Sequence, residues 1–198
     1  VGLGSGTTME AFVKLIAHAD ISAVFVPTSK QIQSVAERYG LNIKQLEEVE
    51  EINIAIDGAD EVDRRLYCIK GRGGAHTLEK IIDYFADEFY IIVDYTKLTD
   101  ILGKKLVPVE VIPTAWKIVS NELKNLNGDA KLRIINNHPF VTDNGNYILD
   151  VNFGKINNPE LLENKINQIP GVVENGIFTR KPLKVFVGYE NKVDELKG

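Results

Sequence analysis

Asp57, Asp60, Glu61 and Asp63 place four carboxylates within seven positions, and Lys70 and Glu79 follow on either side of the turn Gly71-Arg72-Gly73-Gly74. Acidic side chains are rarely buried without a partner, so a carboxylate cluster at the end of an apolar run needs an explanation. The cluster lacks the His/Cys ligand pattern of a zinc site, and no metal is assigned to it. The chemistry it suits is a proton moved by one carboxylate while the others hold hydroxyl groups. Asp57 and Asp60 directly follow the apolar run 52–56, which puts them at a sheet edge where open α/β folds bind ligands. They could equally cap a turn or a helix start. Glu61 and Asp63 read as solvated charges.

Three glycines after Lys70 imply positive φ angles or an approach too close for side chains. Glu79 falls on the helix beyond, either as a working acid or as an exposed carboxylate paired with a lysine. His76, at the start of that helix, is either a base or a packing residue. The opening Gly2-x-Gly4-x-Gly6-Thr7-Thr8 offers close backbone approach, hydroxyl donors and a helix N-terminus, all of which suit an anion. It is not a dinucleotide fingerprint, because Thr7 stands where the third glycine belongs, and no Lys-Ser/Thr pair makes it a P-loop. By itself it could also be a structural turn. Asp94-Tyr95-Thr96-Lys97 ends another apolar run. A lysine there binds phosphate as a point charge or merely decorates the surface.

These residues need a scaffold that brings strand ends together. Apolar runs at 21–26, 52–56 and 89–93 have strand length and the continuous character of buried parallel strands. Leu41 to Ile43 and Leu66 to Ile69 read as shorter strands. Helices are expected at about 9–19, 30–39 (capped by Pro27-Thr28-Ser29 and ended by Gly40) and 77–85. The alternation predicts an α/β fold with a parallel, Rossmann-like sheet. After Pro108 the pattern becomes strand 109–112, helix 114–126, strand 131–135, a turn at 143–146, strand 147–153, helix 159–168 and strand 172–178. That β-α-β-β-α-β order predicts a small ferredoxin-like α+β lid. Lys184 to Val187 looks like one more strand of the first sheet. The expected domains are therefore 1–107 with 180–198, and 108–179 as the inserted lid.

The 198 residues carry a formal net charge of −5, which gives no invitation to nucleic acid or an anionic membrane surface. Cys68 is the single cysteine, so the chain has no intrachain disulfide and reads as reduced and cytoplasmic, with Cys68 a buried thiol. No apolar run approaches the roughly 20 residues of a membrane span. The sequence opens at Val1 on a strand end, and a preceding strand and helix, with any ligand-binding residue they carry, are expected to be missing from it.

Taken together, Gly-Ser-Gly-Thr-Thr at 4–8, Asp-Gly-Ala-Asp-Glu at 57–61, Lys-Gly-x-Gly at 70–73, Glu-Lys at 79–80 and Asp-x-x-Lys at 94–97 resemble ribose-5-phosphate isomerase of the A type. The segments 108–113, 142–146 and 169–173 are similar to that family as well, so the resemblance spans essentially the whole chain. It implies interconversion of ribose 5-phosphate and ribulose 5-phosphate without metal or organic cofactor. It also implies Glu79 as the general base between C2 and C1. The substrate loops implied are Ser5-Gly6-Thr7-Thr8, Asp57-Gly58-Ala59-Asp60 and Lys70-Gly71-Arg72-Gly73, with Lys97 on the phosphate and a homodimer or homotetramer as the assembly. Lys70 would stabilise the enediolate oxygen, while Asp57 and Asp60 would hold sugar hydroxyls. Two positions depart from the family, which commonly has glycine at Arg72 and an apolar residue at His76.

Other activities compete. A related-fold amino-sugar-phosphate deaminase would use a similar site, and a coenzyme A transferase would need a nucleophilic glutamate. A sugar-phosphate sensor domain would bind without catalysis, though no basic helix-turn-helix segment accompanies this sequence.

Overall fold

The computed structural model describes residues 1–19 and 21–197, which form two compact units. The first comprises Val1–Ala59, Leu78–Thr96 and Lys181–Gly198. Its strands are β1 (Gly2–Leu3), β2 (Val26–Pro27), β3 (Ile52–Asp57), β6 (Ala86–Asp94), β14 (Lys184–Gly188) and β15 (Val193–Lys197). They form one sheet in the order β15-β14-β6-β3-β1-β2, parallel except for the β14–β15 hairpin. Strand order reverses between β1 and β3, which pair with Leu3 opposite Ile56. The crevice beyond such a reversal is where doubly wound sheets receive ligands.

Helices α1 (Thr7–Ile16) and α2 (Lys30–Arg38) follow β1 and β2. Each buries an i, i+4 pair, Met9 with Val13 and Ile32 with Ala36, around Leu3 and Phe25. The Ser29 hydroxyl caps α2 by accepting from the Ile32 amide at 3.2 Å. Helix α3 (His76–Phe85) brings the Ile82 side chain against β1, where a Cβ added to Gly2 would overlap it.

The second unit comprises Asp60–Thr77 and Lys97–Arg180. Strands β7 (Val107–Val111), β8 (Asp129–Leu132), β11 (Tyr147–Asn152) and β12 (Val172–Asn175) form an antiparallel sheet in the order β12-β7-β11-β8. Helices α4 (Trp116–Asn125) and α5 (Pro159–Asn167) make the crossovers, which completes the ferredoxin-like β-α-β-β-α-β arrangement. Val109, Val111, Val119, Leu123, Leu149, Val151 and Ile166 form its core. A smaller sheet pairs β5 (Cys68–Ile69) with β4 (Glu61–Val62) and β13 (Ile177–Phe178), and a hairpin joins β9 (Ile134–Ile135) to β10 (His138–Pro139).

That small sheet explains why this unit extends beyond the expected 108–179: β5 hydrogen-bonds to β13 on one side and to β4 on the other, and the Lys70 amide donates to the Gly176 carbonyl at 2.9 Å. The expected strand at 21–26 contracts to Val26–Pro27, and the one at 41–43 to a single bridge between Phe25 and Ile43. A strand exists only where a partner backbone faces it, and β2 finds only the two residues of β1. No helix among the described residues is long and apolar enough to cross a membrane.

Candidate active site

Within the first unit, the glycine turn and Asp57 meet at the β1/β3 reversal. The Gly4 amide donates to the Ile56 carbonyl at 2.9 Å, which holds the turn beside the end of β3. Asp57 is fully buried and accepts from the Gly58 amide at 2.6 Å. A Cβ on Gly4 would overlap the Asp57 carboxyl, so glycine here is a requirement of space. Gly6 needs glycine for another reason: its φ of 94° and ψ of 178° lie in a region closed to L side chains. Its position as N-cap, with no capping side chain, leaves the start of α1 lined by backbone N–H groups and by the exposed Thr7 and Thr8. Ser5 Oγ lies 2.7 Å from Thr28 Oγ1 and donates to Ser29 Oγ at 2.9 Å. This hydroxyl chain ties the turn to the end of β2. The sequence indicates Thr28 and Ser29 only as a helix cap.

Glu79 lies on α3 and is 5% exposed, not on the solvent face that an ordinary helix carboxylate prefers. Lys80 and Asp83 are buried with it, as is His76 at the helix start, so α3 carries four ionisable groups on buried positions alongside Ile82. Asp83 went unremarked in the sequence because an acid at i+4 on a helix is ordinary. Gly58 has room around it, with a Cβ there reaching only ordinary contact with the Ile92 carbonyl at 3.8 Å, and Ala59 is half-buried. Asp94 accepts from the Thr96 amide at 2.8 Å and so shapes the turn at the end of β6.

In the second unit, Asp60 and the Lys70–Gly74 loop lie together. The Asp60 amide donates to the Ile69 carbonyl at 2.8 Å, and one Asp60 carboxylate oxygen accepts from the Arg72 amide at 3.1 Å. Lys70 is 2% exposed, with Nζ 5.2 Å from the centroid of the Phe178 ring. Gly71, at φ 93°, presses on His76, where a Cβ would stand 2.6 Å from the His76 Cβ. His76 is fully buried, and its Nε2 lies 3.3 Å from the Glu174 carbonyl oxygen, the geometry of a packing residue. The Arg72 side chain and Gly73 are exposed, and Lys97 is half-buried in the turn Tyr95–Lys97.

Glu61 and Asp63 are not the solvated charges expected. The Glu61 carboxylate accepts from the amides of Gly103, Lys104 and Lys105 at 3.0, 3.0 and 3.1 Å, and Asp63 from those of Arg65 and Tyr67 at 2.9 and 3.0 Å. Both acids are buried as loop anchors, with the amides standing in for water. Sequence reasoning also missed Arg133 and Asp150, which meet beneath the glycine loop with no motif to mark them.

The Ribose 5-phosphate isomerase A (phosphoriboisomerase A) family model matches residues 24–192. The chain is 49% identical to ribose-5-phosphate isomerase A of Methanococcus aeolicus, with 100% of this chain and 87% of that protein covered. It is 46% identical to the protein of the same name from Thermococcus kodakarensis, covering 100% and 90%. A solved D-ribose-5-phosphate isomerase in complex with phospho-erythronic acid is similar at a TM-score of 0.96 and 45% identity, covering 100% of this chain and 90% of that one. The structure of ribose 5-phosphate isomerase A from Methanocaldococcus jannaschii is similar at a TM-score of 0.93 and 43% identity, with the same coverage.

Proposed function

We propose a division of labour among these side chains from one premise: this chain belongs to the ribose 5-phosphate isomerase A family, and it interconverts ribose 5-phosphate and ribulose 5-phosphate. Glu79 is the general base. It removes the C2 proton of the open-chain aldose, and the electron pair left on C2 forms the C1–C2 double bond of an enediolate with the negative charge on O1. Glu79 then returns the proton to C1 while the O2 hydroxyl proton passes to O1, so O1 becomes a hydroxyl, O2 becomes the ketone oxygen and no hydrogen is gained or lost. Lys70 donates to the oxygen that carries the developing charge, a contribution of the kind whose removal costs roughly 3–4 kcal/mol. Asp57 and Asp60 hold sugar hydroxyls, and one of them assists opening of the furanose ring.

Ser5, Gly6, Thr7 and Thr8 cradle the substrate with backbone amides and hydroxyls, and Lys97 meets the phosphate. Gly58, Ala59, Gly71, Arg72 and Gly73 complete the substrate loops. Remote grip on the phosphate fixes the reacting carbons against the base. The compound bound by one relative, phospho-erythronic acid, is a phosphorylated four-carbon acid. Its planar carboxylate resembles an enediolate, so we carry the same class of ligand to this chain.

The observation that carries the proposal is the burial of a glutamate and a lysine, Glu79 at 5% and Lys70 at 2% exposure, in side-chain types that a fold rarely conceals without use. Glu79→Gln is expected to abolish C2 proton exchange in deuterated water while substrate still binds. Isomerase activity retained within about tenfold would remove Glu79 from the base role. We further propose a cytoplasmic homodimer or homotetramer, which light scattering on the purified protein tests; a monomeric mass rejects the assembly.

A further inference from the structure

Arg133 lies between β8 and β9, where the side chain of its partner Asp150 projects from β11. Its Nε donates to one Asp150 carboxylate oxygen at 2.9 Å and its Nη2 to the other at 2.6 Å. This two-pronged pairing fixes the plane of the guanidinium. The remaining arm, Nη1, donates to the backbone carbonyl of Arg72 at 2.9 Å. At the other end of that residue, the Arg72 amide donates to the Asp60 carboxylate at 3.1 Å. A single residue of the glycine loop is thus held from both sides, by Arg133 at its carbonyl and by Asp60 at its amide.

A second grip lies two residues further along the loop. The Arg133 guanidinium stands 5.6 Å from the centroid of the Phe140 ring, and the Phe140 amide donates to the Arg133 carbonyl at 2.9 Å. The edge of that ring meets Gly74, where a Cβ would sit 2.5 Å from Cε1 and 2.8 Å from Cζ. Three of the four residues at 71–74 are glycine, so the segment has little conformational preference of its own and takes its shape from what holds it. A cavity of about 430 Å³ opens beside these groups, lined by Asp60, Arg72, Lys105, Pro108, Arg133 and Asp150.

We propose that Arg133, locked by Asp150, is a positioning residue that sets the Arg72 backbone and through it the Asp60 carboxylate. The proposal rests on the assignment of Asp60 to the sugar hydroxyls. A lysine at 133 keeps the charge but cannot form the fork to Asp150 and reach the Arg72 carbonyl in one rigid plane.

The test is a double-mutant cycle on kcat/KM for ribose 5-phosphate, with Arg133→Lys, Asp60→Asn and the pair, each assayed well below its melting temperature. Arg133→Lys is expected to lower kcat/KM about 10- to 100-fold in the parent, as displacement of a positioned group does. In the Asp60→Asn background the same change is expected to cost less than about 3-fold, since its route of action is already cut. Asp150→Asn, which keeps the shape of the pair, is expected to follow Arg133→Lys and provides the cycle should the latter fold poorly. Equal losses in both backgrounds, or an unchanged kcat/KM for Arg133→Lys, overturn the proposal while Asp60 keeps its role. An unaffected Asp60→Asn overturns the assignment of Asp60 itself, and the proposal with it.

Discussion

Gly4→Ala isolates the contact on which the carboxylate at the β1/β3 reversal depends. The added methyl carbon would lie 2.6 Å from the Asp57 Cβ, and closer still to its carboxyl group. Non-bonded carbons ordinarily rest about 3.5–4.0 Å apart, so the shortfall at that Cβ is roughly 1 Å. Rotation about the Asp57 side chain cannot relieve it, because Cβ is fixed to the backbone of β3. Either β1 and β3 part, against the register that places Leu3 opposite Ile56, or the end of β3 shifts and takes Asp57 with it. Overpacking of this kind costs about 1–3 kcal/mol, more than the few tenths to 1 kcal/mol that Gly→Ala gains from a stiffer unfolded chain.

A shift of about 1 Å in a group that orients substrate is worth on the order of 100-fold in rate. We therefore expect kcat/KM to fall by about two orders of magnitude, read by a coupled isomerase assay at a temperature where circular dichroism shows the variant folded. Gly40→Ala is the control. Gly40, just after α2, has φ 74° and nothing within 4 Å of an added Cβ, so its replacement costs backbone strain alone. It is expected to destabilise by about 1 kcal/mol with kcat/KM unchanged. A Gly4→Ala enzyme with kcat/KM within threefold of the parent would refute the claim that this close approach sets Asp57.

Lys97→Ala is expected chiefly to raise KM for the phosphorylated sugar, with kcat less affected, and an unchanged KM rejects its contact with the phosphate. Tyr67 is nearly buried and donates to the Glu160 carboxylate; that hydrogen bond, with burial and the carboxylate charge behind it, holds the Tyr67 phenol above its usual pKa of 10.0. Because the folded pKa is the higher one, the stabilisation is fully present below the unfolded value and is lost as pH rises through the folded one. Urea unfolding should show Tyr67→Phe less stable than the parent by about 1 kcal/mol at pH 7, with the gap closing above about pH 10. A gap that widens there would contradict the linkage.

What the sequence made legible follows the range of the forces involved. Asp57 could be placed because its position depends on its own strand: Ile52, Ala55 and Asp57 are buried along β3, and an apolar run followed by Asp-Gly marks where the strand stops. Glu79 and Lys70 stood out by resemblance, but their burial depends on packing that no local pattern carries. Glu61 and Asp63 show the limit most clearly. Read along the chain they are charges beside other charges, yet the Glu61 carboxylate is held by three amides more than forty residues away. The glycine loop has the same character. Its glycines announce that a special backbone is required, whereas Arg133, which holds the Arg72 carbonyl, lies 61 residues further along the chain. Local sequence thus marks where the backbone must be unusual or charged, and distant sequence determines what steadies it. A substitution scan of this fold should accordingly find its largest unexplained losses at supporting positions such as Arg133 and Asp150, which carry no motif.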